Sequence, residues 1–271
     1  MLSFDANIMQ WLGRFDPFVL LTIALASCRF FGFFLTFPLF SWLNITGILR
    51  VALSIALALG LGASPVGNNL PAADAQAFVL LALLAKEIIL GSVLGMLCGL
   101  PIWGAQAAGD ILDAYRGANA SSIFDPLNTA EVSVMGQLNS FLVMSWLVSS
   151  GGLRIIFDIL YTSFSALDIN AFAPLVDQSL MALTRRFIGS IAELSLSVAA
   201  PLLIVMLITE LVIGAVGRVS KQMSTSELSS MSKSIAALLS LPIYGAFVYT
   251  FSETGFKTTV TSIFAYVQGS R

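Results

Sequence analysis

The sequence predicts an all-α, polytopic membrane-type protein built of long hydrophobic helices and helix hairpins. Two features of composition and one pattern carry that prediction. Hydrophobic residues make up 57% of the 271 positions, and mean hydropathy is +0.91. Charged residues are only 10%, against about 25% in a soluble domain. Third, about six apolar runs approach the roughly 20 residues that a helix needs to cross a hydrocarbon core. So few charges cannot cover a soluble fold of this size, so most of its outside must meet lipid or a large protein partner.

The runs follow in order. The first extends from Phe18 to about Leu43, interrupted by Arg29 and Pro38. A shorter second, Ile48 to Leu61, ends in Gly62, Pro65, Gly67 and Pro71. The third, Ala75 to Leu100, carries Lys86-Glu87 and stops at Pro101, because proline removes a helix donor. Val132 to Ser150 ends at Gly151-Gly152; Phe187 to Ile213 contains Glu193, Pro201 and Glu210; Ile235 to Phe251 is the sixth. Ile155 to Leu167 and Phe256 to Val267 are too short to span untilted and read as interfacial or paired helices. Polar connections cover residues 103–131, 168–186 and 214–234. No linker or repeat divides the chain, so residues 1–271 read as one membrane domain, with 103–131 central and 252–271 a C-terminal tail.

Thirteen basic and fifteen acidic residues leave no basic stripe, which excludes nucleic acid as a partner. The absence of histidine excludes Ser-His-Asp and Cys-His catalysis, HExxH zinc sites and histidine-held haem. Cys28 and Cys98 lie far apart in apolar runs, as small hydrophobes rather than a redox or metal pair. No Walker-type or GxGxxG loop is present, so the inventory implies no cofactor, no metal and no nucleotide hydrolysis. Leu25-Ala26-Ser27-Cys28 fits a lipoprotein cleavage box, but the apolar run continues through Phe34, which argues against processing there. With six spans, the positive-inside rule assigns Arg14, Arg154, Arg185, Arg186, Lys257 and Arg271 to one side. Arg50, Arg116, Arg218, Lys221 and Lys233 fall on the other. So even a balance suggests that some runs are not ordinary spans.

Three groups of residues are candidates for function. Gly91, Gly95 and Gly99 repeat every four residues on one helix face, the spacing of close helix packing. Glu87, Glu193 and Glu210 are costly at bilayer depth. They read either as a proton or ion relay or as structural pairs with Lys86, Arg29 or Arg218. The segment 103–131 combines Gly104, Gly109 and Gly117 with many Ala and Ser, and closes at Asp125-Pro126. Backbone of that kind packs closely or lines a narrow passage.

These residues resemble the FliR/SctT export-apparatus family. Arg29-x-x-Gly32, Pro38-Leu39-Phe40 and Arg50 are similar to its opening signature, as is Lys86-Glu87-Ile88-Ile89-Leu90-Gly91 running into Gly95. Ala108-Gly109-Asp110 through Tyr115-Arg116-Gly117 and Asp125-Pro126, then Gly136-Gln137-Leu138, resembles the central signature. Asp113-x-x-Arg116-Gly117 is closer to the virulence branch than to the flagellar one. Glu210-x-x-x-Gly214-x-x-x-Arg218, Gln222 and Lys233 match the late signature, where Lys221 and Ser224 replace the family's usual proline and asparagine.

The resemblance implies a non-enzymatic core subunit of a type III secretion export gate in the bacterial inner membrane, partly at periplasmic level. Its implied partners are SctR-like and SctS-like gate subunits, an SctU-like switch protein, an SctV-like export ring, membrane lipid and secreted polypeptides in transit. It also implies a channel plug from about Gly104 to Asp125, involving Gly109, Tyr115, Arg116, Gly117 and Pro126. Arg29, Glu87, Glu210, Arg218 and Gln222 are expected at intersubunit polar contacts. The competing reading is a small independent ion or solute transporter using Glu193 and Glu210; a membrane enzyme finds no nucleophile–base pair.

Overall fold

The structure, a computed structural model, describes residues 17–61, 77–117, 133–167, 169, 178–219 and 225–269. Asp125, Pro126 and Gln222, together with Lys221 and Ser224, lie outside the described residues. Among those described, the regular structure is helical throughout, with no strand. The helices are α1 (Pro17–Thr36), α2 (Pro38–Trp42), α3 (Gly47–Leu59), α4 (Ala77–Arg116), α5 (Val134–Ser149), α6 (Gly152–Ala166), α7 (Gln178–Val219) and α8 (Thr225–Gly269). Phe78–Arg116, Ile191–Arg218 and Glu227–Lys257 are long and apolar enough to cross a membrane. Leu20–Thr36 and Gly47–Leu59 are shorter apolar helices.

The helices run further than the hydrophobic pattern suggests. Pro101, Pro201 and Pro242 all lie inside helices. Each proline forfeits one backbone bond, a loss that neighbouring helices accommodate more readily in membrane-type helices than water does. The expected stop at Pro101 is therefore corrected: α4 continues to Arg116. Residues 103–116 of the expected central loop are helix. Phe256 to Val267 is not a separate short helix, because α8 is continuous through Gly269. The polar connections at 168–186 and 214–234 also shrink, with α7 starting at Gln178 and ending at Val219.

The chain forms two compact units, one of residues 1–99, 154–185 and 261–271, the other of 100–153 and 186–260. In the first, α1 lies backbone to backbone against the first half of α4. A Cβ on Gly32 would collide with the Ile88 carbonyl, and one on Gly91 with the Arg29 carbonyl. On Gly95 it would meet Thr36 Oγ1 and, at 2.6 Å, the Phe33 oxygen; on Gly99, Pro38 Cδ at 2.6 Å. Phe30, Phe33, Phe34 and Phe37 fill the core beside this seam. Phe33 stacks on Phe37 at 5.1 Å, and Phe30 meets Tyr161 and Phe164 of α6, both at 5.5 Å. Helix α6 is amphipathic: Ile156, Ile159, Leu160 and Phe164 are buried, whereas Arg154 and Ser165 are exposed.

A charged cluster sits at the centre of this apolar unit. Arg29 Nε donates to Glu87 Oε2 at 2.6 Å, and Lys86 Nζ stands 2.9 Å from Oε1 as an ion pair without hydrogen-bond alignment. All three side chains have no exposed surface. Arg29 also donates to Ser163 Oγ at 3.2 Å and to the Leu167 carbonyl at 3.0 Å, while Lys86 donates to the Ile169 carbonyl. The two cations thus face Glu87 on one side and the negative end of α6 on the other, which offsets their charge. Arg29 further stacks on Phe164, 4.1 Å from the ring centroid.

In the second unit, the latter half of α4 packs on α5, α7 and α8. Ser133 caps α5 by accepting from Gly136 N at 2.8 Å. Asn139, fully buried, donates to the Ala105 carbonyl and to Tyr244 Oη. Trp146 meets Tyr249 and Phe256 edge-on. Much of the outward surface is apolar: Ile204, Leu211, Val212, Leu238, Leu239 and Ile243 are each more than half exposed. A surface of that kind belongs against lipid or protein.

Candidate functional site: the anchor at the end of α4

Helix α4 ends at Arg116, inside the central segment, and its last turn must dispose of carbonyls that have no helical partner. Gly117 takes φ +80°, a left-handed conformation that stops the helix at low cost, and its N–H donates to the Ala114 carbonyl at 3.1 Å. The next two carbonyls are bonded by side chains of α8: Lys233 Nζ donates to Tyr115 O at 3.2 Å, and Ser230 Oγ to Arg116 O at 2.9 Å. Lys233 also sits 4.6 Å from the centroid of the Tyr115 ring. Tyr115 Oη donates to Glu210 Oε2 of α7 at 2.6 Å, and Lys233 pairs with the same oxygen at 3.3 Å.

The returning end of the segment is fixed to the departing one. Asp113 is 1% exposed, and its Oδ2 accepts from Ser133 Oγ at 2.9 Å and Met135 N at 3.0 Å, both at the start of α5. Its Oδ1 accepts from Arg116 at 2.8 Å. A carboxylate at a helix N-terminus interacts favourably with the exposed amides there. Gly109 makes this approach possible, since a Cβ there would strike the backbone of Met135 and Gly136. The chain thus departs after Gly117 and re-enters at Ser133 with both ends held to one carboxylate.

The predicted residues are therefore distributed unevenly. Gly109, Tyr115, Arg116 and Gly117 gather at this anchor. Gly104 lies further back on α4, where a Cβ would meet Leu194 at 3.3 Å. Glu210 joins the anchor through Tyr115 and Lys233. Arg218 is exposed in the last turn of α7, two helical turns beyond Glu210, where a cation suits the helix end. Arg29 and Glu87, expected either at intersubunit contacts or as a structural pair, bond each other inside this chain with no exposed side-chain surface. Gly91 and Gly95 face α1 of the same chain, and Gly99 faces Pro38 at the start of α2. Glu193 is exposed and seventeen residues before Glu210 on α7, about 25 Å along the helix, so the two acids cannot share one ion site. Among the described residues no three of His, Cys, Asp or Glu gather as a metal site.

Sequence reasoning did not anticipate the roles of Lys233, Ser230 and Ser133. Lys233 and Tyr115 are 118 residues apart, and no local spacing links them. The capping serine before an apolar run was the available signal for Ser133.

The chain is similar in sequence to known proteins over most of its length. The chain is 30% identical to Yop proteins translocation protein T of Yersinia pestis, over 83% of this chain and 86% of that protein. It is 32% identical to surface presentation of antigens protein SpaR of Salmonella typhimurium, over 82% and 81%. Flagellar biosynthetic protein FliR of Bacillus subtilis is 21% identical, over 88% and 92%. The profile of the family described as bacterial export proteins, family 1, matches residues 20–259, and the chain belongs to that family.

Proposed function

We propose that this protein is a core subunit of a type III secretion export gate in the bacterial inner membrane. In this reading it assembles with SctR-like and SctS-like subunits around a channel for unfolded polypeptide. An SctU-like switch protein and an SctV-like export ring complete the surroundings. The translocation and antigen-presentation names of its relatives support the secretion role, and the higher identity to them favours virulence over flagellar use. The role is non-enzymatic: the subunit shapes a passage and catalyses no bond change.

The observation that carries the mechanism is the anchor at the end of α4. An idle passage must be sealed to ions, yet its seal must yield to substrate. In this reading the part of the Gly104–Asp125 plug that follows Gly117, closing at Asp125-Pro126, serves as that seal. Asp113, Gly117, Lys233 and Ser230 hold its two ends so that displacement of the middle leaves the helices packed. Alanine, serine and asparagine predominate at the start of this segment, a composition with few bulky side chains to hold it in place.

Co-expression with the candidate partners tests the assignment. The chain should purify as a monodisperse complex with SctR-like and SctS-like subunits, and as unstable material without them. A stable isolated chain that catalyses solute flux in vesicles would refute the assignment.

A further inference from the structure

We infer that the groove between the end of α4 and the middle of α7 is a docking site for an apolar helix of a partner gate subunit. That helix presents one neutral hydrogen-bond donor, a hydroxyl or carboxamide, to Glu210. The inference rests on the proposed gate assignment and adds the surface and the chemistry of the contact.

The groove has a volume of about 520 Å³ and is lined by Ile111, Ala114 and Tyr115 of α4 with Leu203, Ile204 and Leu207 of α7. Its walls are almost wholly apolar, and its volume lies within the range of about 300–1,000 Å³ that ordinary ligand sites occupy. Ile204 and Leu207 are about half exposed, so the floor continues into the open apolar face of α7.

The Glu210 side chain is 44% exposed, one turn beyond Leu207 and about 12 Å inside the Arg218 end of α7. Tyr115 and Lys233 both bond its Oε2, and among the described residues no bond reaches Oε1. An open carboxylate oxygen beside an apolar groove in a membrane-type helix is costly unless a donor comes from outside. An acyl chain supplies none.

Charge decides the kind of donor. Glu210 is balanced by Lys233, and Asp113 by Arg116, so the two pairs around the groove are already neutral. A cationic donor would leave an uncompensated charge in an apolar contact. A serine, threonine, tyrosine, asparagine or glutamine on the entering helix satisfies Oε1 without one.

A photoactivatable p-benzoylphenylalanine at Ile204, in the chain co-expressed with all its partners, tests this directly. The expected product is an adduct with a partner gate subunit. Peptide mapping should place it on an apolar segment that carries a hydroxyl or carboxamide side chain within one helical turn. Adducts to phospholipid alone, or to a segment with no such donor, would overturn the inference while co-purified partners leave the gate assignment standing. If no gate subunit co-purifies with the unsubstituted chain, both fall. In the same complexes Glu210→Leu should reduce retained partner about ten-fold, because its donor is left unpaired. Glu210→Gln, which keeps an acceptor oxygen but leaves Lys233 without its counter-charge, should retain more partner than Glu210→Leu and less than the parent. Equal retention by Glu210→Leu and the parent would also overturn it.

Discussion

Replacing Glu87 by glutamine keeps the shape of the side chain and removes the charge that Arg29 and Lys86 share. Both cations are wholly buried, at 2.6 and 2.9 Å from the carboxylate, and neither reaches water when it is lost. Breaking a buried pair from one side costs about 3–5 kcal/mol, since the remaining charge is left without compensation. Here two charges remain, partly relieved by the Leu167 and Ile169 carbonyls, which places Glu87→Gln in the upper part of that range. At about 2–4 °C per kcal/mol for a chain of this size, the midpoint should fall by roughly 8–20 °C. Thermal unfolding of the purified complex in mild detergent, followed by tryptophan fluorescence, reads the shift. Glu253→Gln is the control: its partner Lys257 is 71% exposed, and such surface pairs contribute almost nothing. The triple change Arg29→Met, Lys86→Met, Glu87→Leu should recover most of the loss, because apolar groups of similar volume replace buried ions at little cost. It should not recover all of it, because the carbonyls past α6 lose their donors. A Glu87→Gln midpoint within 2 °C of the parent would refute the cluster as a stabilising centre of the first unit.

Other substitutions probe the remaining contacts. Gly95→Leu should destabilise the seam between α1 and α4 by at least the 1–3 kcal/mol typical of overpacking, since the obstacle at Phe33 is backbone; limited proteolysis of the isolated complex should show faster cleavage. Gly109→Val should separate α4 from α5 and prevent recovery of monodisperse complex on size-exclusion chromatography. Lys233→Met should leave the Tyr115 carbonyl without its donor and cost about 1–3 kcal/mol, read as a lower unfolding midpoint with membrane insertion unchanged.

Much of the architecture was legible because membrane-type helices announce themselves by composition and length. The four-residue repeat of Gly91, Gly95 and Gly99 also marked a contact face, since that period is the helix's own. The partner was not legible: nothing in the spacing distinguishes a neighbouring subunit from α1, which the Cβ positions identify. Pro101 misled for a physical reason. A proline stop rule suits exposed helices, whereas buried neighbours carry α4 past it to Arg116. The pairing of Glu87 with Arg29 or Lys86 stood among the alternatives, and both occur at once because two cations reach the same carboxylate. The anchor was the least legible part. Asp113 and Tyr115 advertise polarity in an apolar stretch, but their partners Ser133, Glu210 and Lys233 come from three other helices.

The claim that residues between the two anchor points seal the passage has one direct measurement. Replacing residues 119–130 by a short Gly-Ser linker spares Asp113 to Gly117 and Ser133, so the helices keep their contacts. Single-channel conductance of the purified complex in planar bilayers would then be recorded beside the parent complex. The account predicts an assembled complex that conducts small ions at rest, against a silent parent. An assembled variant as silent as the parent would contradict it.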